Sequence, residues 1–481
     1  MLAAMISRAM EEYGLDGEGS AQAAGYDSAP STAAPDGAPP PPLLPDLRGE
    51  LQHTHEAPPI AAGYMHTLFV DASGQLLSCG READDEGACL LSLYPGLLGH
   101  GPRVADSPLR LDTPTPVASM AGIQVRSVAA GPFHSFALGC QGELYTWGSF
   151  LNQNQCEPTL VQPLRGERVV AVAAGSKASL AVTEEGTVFS WGKLGKQRNQ
   201  QPQPTRVKGL SGVLVRRVAT SGRLAFAVTD TGEVFSWGSG PPGVFGHGDN
   251  RSHQPIPKRI EALSEIRVRD VALGGWHCLA LTEGGEVYSW GEERQGSLGH
   301  GNLLDFEEEI WGGEVGSDDE GIEPCIEILP KWMVALSGVR VVAVAVSNDH
   351  SCAVSEAGAL FTWGAGGWGQ LGHGDHDSLG LPRRVEALHG IAVVSVAAAD
   401  RQTFAVVEDG SVYAWGCVQG GVLGMGRESW REVWGPMWTG PAPIPENGPA
   451  SMRVPWSREW NDADDDVLLP RRVPELRLRV L

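Results

Sequence analysis

The sequence is short of positive charge. Its 481 residues hold 36 Lys or Arg against 58 Asp or Glu, a formal net charge of −22. A general nucleic-acid binder needs a basic surface to release counterions from phosphates, and adhesion to anionic lipid needs the same sign. Neither direct nucleic-acid binding nor a membrane partner is therefore expected. Long hydrophobic runs are also missing, none reaching the roughly 18 residues of a membrane span. Cysteine is sparse: eight residues, with no CxxC pair and no regular spacing, give no disulfide framework and no zinc pattern. Cys278 and Cys352 stand inside apolar, strand-like runs, which suits buried free thiols in a reducing compartment. The apolar stretch Met1 to Met10 runs into Glu11 and Glu12 without a small-residue cleavage site, so no secretory signal is expected. No nucleophile elbow, Walker loop or zincin motif occurs. Glycine and proline, in contrast, are abundant at 63 and 34 residues, and they point to many turns.

Length alone sets a soft prior of about three domains. Residues 1–56 separate at once from the rest. Pro30, Pro35, Pro39 to Pro42 and Pro45 are mixed with Ala, Ser, Gly and Asp, with little periodicity. Such a segment buries too little apolar surface to offset its ordering entropy, so a disordered, acidic, Pro/Ala-rich tail is predicted.

An internal repeat decides the fold of residues 57–481. Trp-Gly recurs at Trp147, Trp191, Trp237, Trp290, Trp363 and Trp415, and Cys79-Gly80 is a degenerate seventh copy. Five residues before each Trp or Cys stands a glycine: Gly74, Gly142, Gly186, Gly232, Gly285, Gly358 and Gly410. Sixteen residues before stands a small or turn-forming residue: Gly63, Gly131, Gly175, Ser221, Gly274, Ser347 and Ala399. Between these markers each unit reads strand, turn, strand, turn, strand. In the second copy these are Val125 to Ala130, Ser135 to Leu138 and Glu143 to Trp147, with period-two alternation in the last. The turn glycine suits positive φ, where a Cβ costs about 1–2 kcal/mol.

A fourth element, Pro-x-x-Val-x-x-Leu or close to it, follows each Trp-Gly after a variable loop. It reads as Pro114 to Met120, Pro158 to Leu164, Pro204 to Leu210, Pro257 to Leu263, Pro324 to Leu329, Pro382 to Leu388 and Pro470 to Leu476. Proline marks an outer strand, because it cannot donate within a central ladder. Four short strands repeated seven times predict an all-β, seven-bladed β-propeller. The Trp residues then pack blade on blade, each burying about 150–250 Å², worth at most about 4–6 kcal/mol from area. The weak entry strand Pro58 to Ile60 suggests that Leu476 to Leu481 adds an outer strand to the first blade and closes the ring.

These residues resemble the regulator-of-chromosome-condensation repeat family. Its Ala-Ala-Gly-x-x-His-Ser-Leu-Ala-Leu-Thr, Gly-x-Val-Tyr-Ser-Trp-Gly and Gly-x-Leu-Gly-His-Gly segments stand here as Ala272 to Thr282, Gly285 to Gly291 and Gly296 to Gly301. The last recurs at Leu98 to Gly101, Phe245 to Gly248, Leu371 to Gly374 and, as Leu-Gly-Met-Gly, at Leu423 to Gly426. The resemblance covers about residues 57–481. It implies the propeller fold but no single function, since members include a nuclear exchange factor for Ran, regulators of other small GTPases, a plant ultraviolet-B photoreceptor and a secreted enzyme inhibitor.

The family's photoreceptor carries Gly-Trp-Arg-His-Thr in successive blades. The matching Trp positions here are Tyr64, Pro132, Ser176, Gly222, Gly275, Asn348 and Asp400, and Trp276 is displaced by one. The family's Ran factor has a basic tail, whereas this tail is acidic. Gly238 to Gly243 and Gly364 to Gly369 fit GxGxxG, but a repeat loop follows where a dinucleotide site needs a helix. His100, His247, His300 and His373 share one repeat position, and His66, His134, His277 and His350 another. Different blades hold them apart, so structural roles are expected, with no metal and no cofactor.

Departures from the repeat are the candidate partner sites. Insertions fall at 81–112, 302–323 and 427–467. The second is strongly acidic, and the third carries Trp430, Arg431, Trp434, Trp438, Trp456 and Trp460. Trp and Arg are enriched at interface hot spots. The expectation is a non-catalytic protein-interaction propeller in the cytoplasm or nucleus. It would act as a regulator or guanine-nucleotide exchange factor of a small GTPase, or as a scaffold subunit. The alternatives are an ultraviolet-B sensor and an enzyme inhibitor.

Overall fold

A computed structural model describes residues 59–82, 96–101, 110–150, 153–195, 201–301, 325–418, 421–426 and 466–480. The predicted disordered tail lies outside the described residues. The strands form seven four-stranded sheets, each an antiparallel meander in sequence order. In blade one they are Ile60–Ala62, His66–Val70, Leu76–Arg81 and Arg110–Pro116. Blades two to seven follow at 125–160, 169–206, 215–259, 268–332, 341–384 and 393–477. First strands of neighbouring blades touch around the ring, and the first strand of blade seven, Val393–Ala398, touches that of blade one. The fold is a seven-bladed β-propeller.

Burial explains the residue types at each strand position. The second strands, such as His134–Gly139 and His277–Thr282, are buried throughout, apart from Arg223 at the start of the one in blade four, and consist mainly of small and apolar side chains. They are central in the sheet and covered on both faces. The fourth strands are edges: Gln201–Arg206, with two prolines, is mostly exposed. The first strands of blades two to seven each carry a register shift near their start, as between Val125 and Ser127. Such a bulge adds local twist to a strand.

The apolar clusters sit between sheets, and each takes a Trp from the later blade. Leu68 and Val70 of blade one pack with Trp147 of blade two. Phe136 and Leu138 pack with Trp191, Leu180 and Val182 with Trp237, Phe226 with Trp290, and Leu279 with Trp363. Trp415 lies in a cluster that reaches across the ring closure to Phe69 and Cys79.

Three expectations need correction. The fourth strand of blade five is Ile326–Trp332, so its repeat proline is Pro330 rather than Pro324. The x-x-Leu part of the motif is not strand in blades one to six. It forms a 3-10 turn, as at Glu261–Leu263 and Val334–Leu336, and its Leu plugs the core. The ring is not closed by a shared blade either. Val467–Arg477 is the outer strand of blade seven, and blade one is complete within 60–116. Closure comes from side-chain burial, with Leu476 and Leu478 in the core that joins blades seven and one. Hydrogen bonds across the seam, Ala72 N to Arg477 O at 3.1 Å and Gly426 N to Asp112 O at 2.8 Å among them, and a bridge from Asp71 to Leu478 add to it. An outer strand that already completes its own sheet has no free register to lend.

Candidate functional site: the loop face

In a meander of four antiparallel strands, the first–second and third–fourth connections emerge at one end of the sheet. The second–third turns and the links to the next blade emerge at the other. All three insertions are third–fourth connections, so all leave from the same face of the ring, here termed the loop face. The turn glycines lie on the opposite face. Gly142 has φ 91°, and the other six in its series lie between 75° and 92°. The Trp-Gly glycines explain the second half of that dipeptide. Gly148 has φ 93°, and a Cβ there would meet Phe133 O at 2.6 Å.

The loop face is built on two sets of histidines. In the first set, each imidazole bonds a hydroxyl of the next blade: His66 Nε2 to Ser135 Oγ at 2.6 Å, His134 to Ser179 at 2.8 Å, His277 to Ser351 at 2.7 Å and His350 to Thr403 at 2.9 Å. Blades three and four have Ala178 and Leu224 at the His position, and the hydroxyl partners they would meet are Ala225 and Cys278. Donor and acceptor are lost together, as the cost of burying an unpaired polar group demands. Burial holds these imidazoles neutral, lowering His66 to about 4 and His134, His277 and His350 to about 3.

The second set orders the third–fourth loops. His100 Nε2 lies 2.9 Å from Ser78 Oγ, His247 3.1 Å from Ser236, His300 2.9 Å from Ser289 and His373 3.0 Å from Thr362. Blade seven again loses both members, with Met425 and Ala414. The loops then cross to the following blade, where the indole N–H of its Trp donates to a loop carbonyl. Trp147 bonds Leu97 at 3.0 Å, Trp290 Val244 at 2.9 Å, Trp363 Ser297 at 3.0 Å and Trp415 Gln370 at 2.8 Å. Among the described residues no group of three or more His, Cys, Asp or Glu converges as metal ligands would. The two GxGxxG segments lie in these loops, before an edge strand.

The structure also assembles a charged–aromatic strip that the repeat pattern does not reveal. The Arg294 guanidinium stacks 3.2 Å above Trp276, and Arg401 lies 4.1 Å above Trp368. Arg294 pairs with Glu292 at 2.9 Å. Between the two stacks, Asn348 donates to Asp400 at 2.8 Å, and Asp400 sits 3.5 Å from Arg401. The Asp349 carboxyl is raised, by burial first and then by Asp400, with Arg294 and Arg401 opposing. Blades five, six and seven thus share one pre-ordered patch with partly buried Arg and Trp side chains. Guanidinium–aromatic stacking of this kind is worth about 0.5–2 kcal/mol per pair. Trp276 stood out in the sequence only as a Trp one place off the family register. Its partner is 18 residues later in another connection.

The Trp and Gly repeat positions all lie within the blades as described above. The candidate partner residues Trp430, Arg431, Trp434, Trp438, Trp456 and Trp460 lie outside the described residues. Their insertion leaves the loop face after Gly426 and returns at Asp466.

The comparisons with known proteins match this geometry. The RCC1-like domain family matches residues 149–457, and the regulator of chromosome condensation (RCC1) repeat matches residues 125–156. This chain belongs to the RCC1-like domain family. It is similar to E3 ubiquitin-protein ligase HERC2 of Homo sapiens, at 39% identity over 188 residues, which is 38% of this chain and 3% of that protein. It is similar to Ultraviolet-B receptor UVR8 of Arabidopsis thaliana, at 35% identity over 195 residues, 40% of this chain and 39% of that protein. The chain thus spans less than half the length of either relative. Among solved structures, Prp20p of Saccharomyces cerevisiae superposes with a TM-score of 0.59 at 21% identity, covering 79% of this chain and 85% of that one. That is a likeness of fold. No helix among the described residues is long and apolar enough to cross a membrane.

Proposed function

We propose that this RCC1-like propeller is a non-catalytic interaction platform that regulates a small GTPase through its loop face, as an exchange factor in the most specific form. The observation that carries the reading is the gathering of three insertions and the Trp276–Arg294 and Trp368–Arg401 stacks on one end of the ring. Partner contact is favoured where rigid aromatic and Arg side chains are already ordered. Exchange on a GTPase needs such a shaped surface, not a nucleophile. The fold likeness to Prp20p, a protein studied for its binding properties to Gsp1p and histones, supports a protein partner.

The test is affinity capture from native extract with and without EDTA, followed by release of a fluorescent GDP analogue from the captured GTPase. EDTA strips Mg²⁺ and leaves GTPases nucleotide-free, the state an exchange factor prefers. Support is a GTPase enriched only under EDTA, whose nucleotide release the wild-type chain accelerates and the Arg294→Glu, Arg401→Glu variant does not. A stable, EDTA-insensitive partner set without a GTPase retires the exchange reading and makes the chain a scaffold subunit.

A further inference from the structure

The junction between blades three and four keeps the receptor seen at other junctions, but its connection is short and lacks Gly-x-Leu-Gly-His-Gly. At four other junctions the third–fourth loop of one blade lies over the Trp and outer strand of the next. In blade four, Val244 O accepts from Trp290, the Phe245 side chain is buried, and Ser236 Oγ donates to Phe245 O while meeting His247. A Cβ at Gly243 would run into Ile326 and one at Gly246 would crowd Ile260 and Pro330, so the backbone of that loop lies close over them.

Blade three reaches blade four by a shorter connection, in which Gly195 N donates to Arg223 O at 3.3 Å. Its connection runs from Gly192 to the residue paired with it, Gln201, and so holds eight residues. The blade-four connection, from Gly238 to Gln254, holds fifteen. The site that a loop would fill is a cavity of about 300 Å³ lined by Trp237, Ser190, Val207, Pro255 and Pro257. These occupy the repeat positions of Trp290, Ser236, Ile260, Ile328 and Pro330. Trp237 is 3% exposed, and its Nε1–H has no acceptor among the described residues. Arg206 and Lys208 stand at the rim, Arg206 already paired with Glu167 at 3.4 Å and lying over the Phe189 ring.

We propose that this groove captures a glycine-containing segment of a partner protein, of the form apolar-Gly-His-Gly followed by an acidic residue. The apolar side chain fills the cavity, and the carbonyl before it accepts from Trp237 Nε1. The imidazole meets Ser190 Oγ, and the acid faces Arg206 and Lys208. The chemistry is that of the chain's own Phe245-Gly246-His247-Gly248-Asp249, seen in place one junction further on.

The probe is the acetylated, amidated peptide of residues 242–249, PGVFGHGD, titrated calorimetrically into the full chain. We expect saturable binding below about 1 mM, none with a scrambled peptide, and a loss of about threefold to tenfold on Trp237→Phe, the effect of one hydrogen bond. Trp363→Phe, whose bond to Ser297 lies at an occupied junction, leaves peptide affinity unchanged. Thr205→Trp, which fills the groove from the exposed edge strand, abolishes binding and serves if Trp237→Phe does not fold. No saturation with the wild type, or equal losses in Trp237→Phe and Trp363→Phe, overturns the proposal. So does binding that appears only after residues 196–200 are replaced by Gly and Ser, because the chain's own loop then owns the groove.

Discussion

The Cys79 thiol lies 3.3 Å from the carbonyl oxygen of Val422, the contact that at other junctions joins an indole N–H to a loop carbonyl. It stands where blade seven meets blade one, so the degenerate copy of the Trp-Gly repeat sits at ring closure. Thr67 Oγ1 donates to the same carbonyl at 2.8 Å and reinforces the weaker S–H donor. Glycine at 424 keeps the loop close, since a Cβ there would lie 3.3 Å from the Cys79 sulfur.

Burial pushes the Cys79 and Cys278 thiols well above their ordinary range and Cys352 up to about 12. Thiolate is the reactive form, so these three cysteines should resist iodoacetamide at pH 8 in the native protein and label fully in urea. Peptide mapping of the alkylated chain reads this directly. Rapid native labelling of Cys352 would contradict the packing of its blade.

The indole hydrogen bonds separate two classes of Trp. Trp363→Phe removes one of two donors to Ser297 O, Ser351 Oγ remaining at 3.1 Å, and should cost about 1 kcal/mol beyond the lost area. Trp191 has no acceptor among the described residues, so Trp191→Phe should cost distinctly less. Urea unfolding of both variants gives the difference, and equal costs would show that the bond carries no net stability.

How much of this could be read from the sequence depends on what repeats. The turn glycines and Trp-Gly pairs recur because the same backbone path recurs, so strand number, blade number and the outer position of the proline strand were all legible. Blade five misled because Pro324 imitates the repeat proline six residues before the true one, Pro330, just after a long insertion where spacing gives no help. Ring closure misled because a C-terminal strand carries no mark of which sheet it completes. The Arg–Trp strip was illegible for a further reason. Its members come from two kinds of connection in three blades, and stacking of Arg401 on Trp368 leaves no periodic trace. The groove between blades three and four was present in the sequence as a short connection lacking Gly-x-Leu-Gly-His-Gly, but only the occupied junctions show what that absence leaves open.

Two glycines at nearly the same φ allow strain to be separated from crowding. Gly142 has φ 91° and a would-be Cβ 2.9 Å from Arg168 Cα. Gly166 has φ 94° and nothing within 4 Å. Gly166→Ala should cost only the left-handed backbone penalty, about 1 kcal/mol. Gly142→Ala must also displace the start of the next blade and should cost at least twice as much. Thermal unfolding of the pair tests this, and matching shifts would mean that the turn yields freely.

Acid should loosen the ring through its histidines. His66 is lowered to about 4 and His134, His277 and His350 to about 3, against 6.5 for the free side chain, chiefly by burial. A depressed folded-state value means that the unfolded chain binds the proton first. The stability these groups contribute is complete above pH 6.5 and is lost as pH falls toward 4 and 3. Between pH 6.5 and 5 the loss is up to about 2 kcal/mol per histidine. The urea midpoint should therefore be level from pH 8 to 7 and fall steadily below 6.5. Blade seven carries Gln402 at this position, bonded to Cys417 O at 3.3 Å. His350→Gln should accordingly flatten the acid limb, and an unchanged limb would move the cause elsewhere.

Glu293 titrates with the opposite sign. Its side chain is fully buried, with one oxygen accepting from Leu298 N at 3.2 Å and the other without a partner among the described residues. Burial raises its carboxyl to about 7, more than the bonds from Leu298 and Gly296 lower it. A raised folded-state value means that the folded chain holds the proton longer. The stability linked to this group is full below about pH 4.5 and is lost as pH rises through 7. Glu293→Gln keeps the acceptor oxygen and removes the ionisation. It should add about 1–2 kcal/mol at pH 8, less than the full linkage because its amide still lacks a partner. At pH 5, where the folded carboxyl is neutral and only the unfolded one is ionised, the gain should shrink to a small fraction of this. Unfolding midpoints of the two proteins at these two pH values decide it: a stabilisation that is the same at both would reflect packing rather than the buried charge.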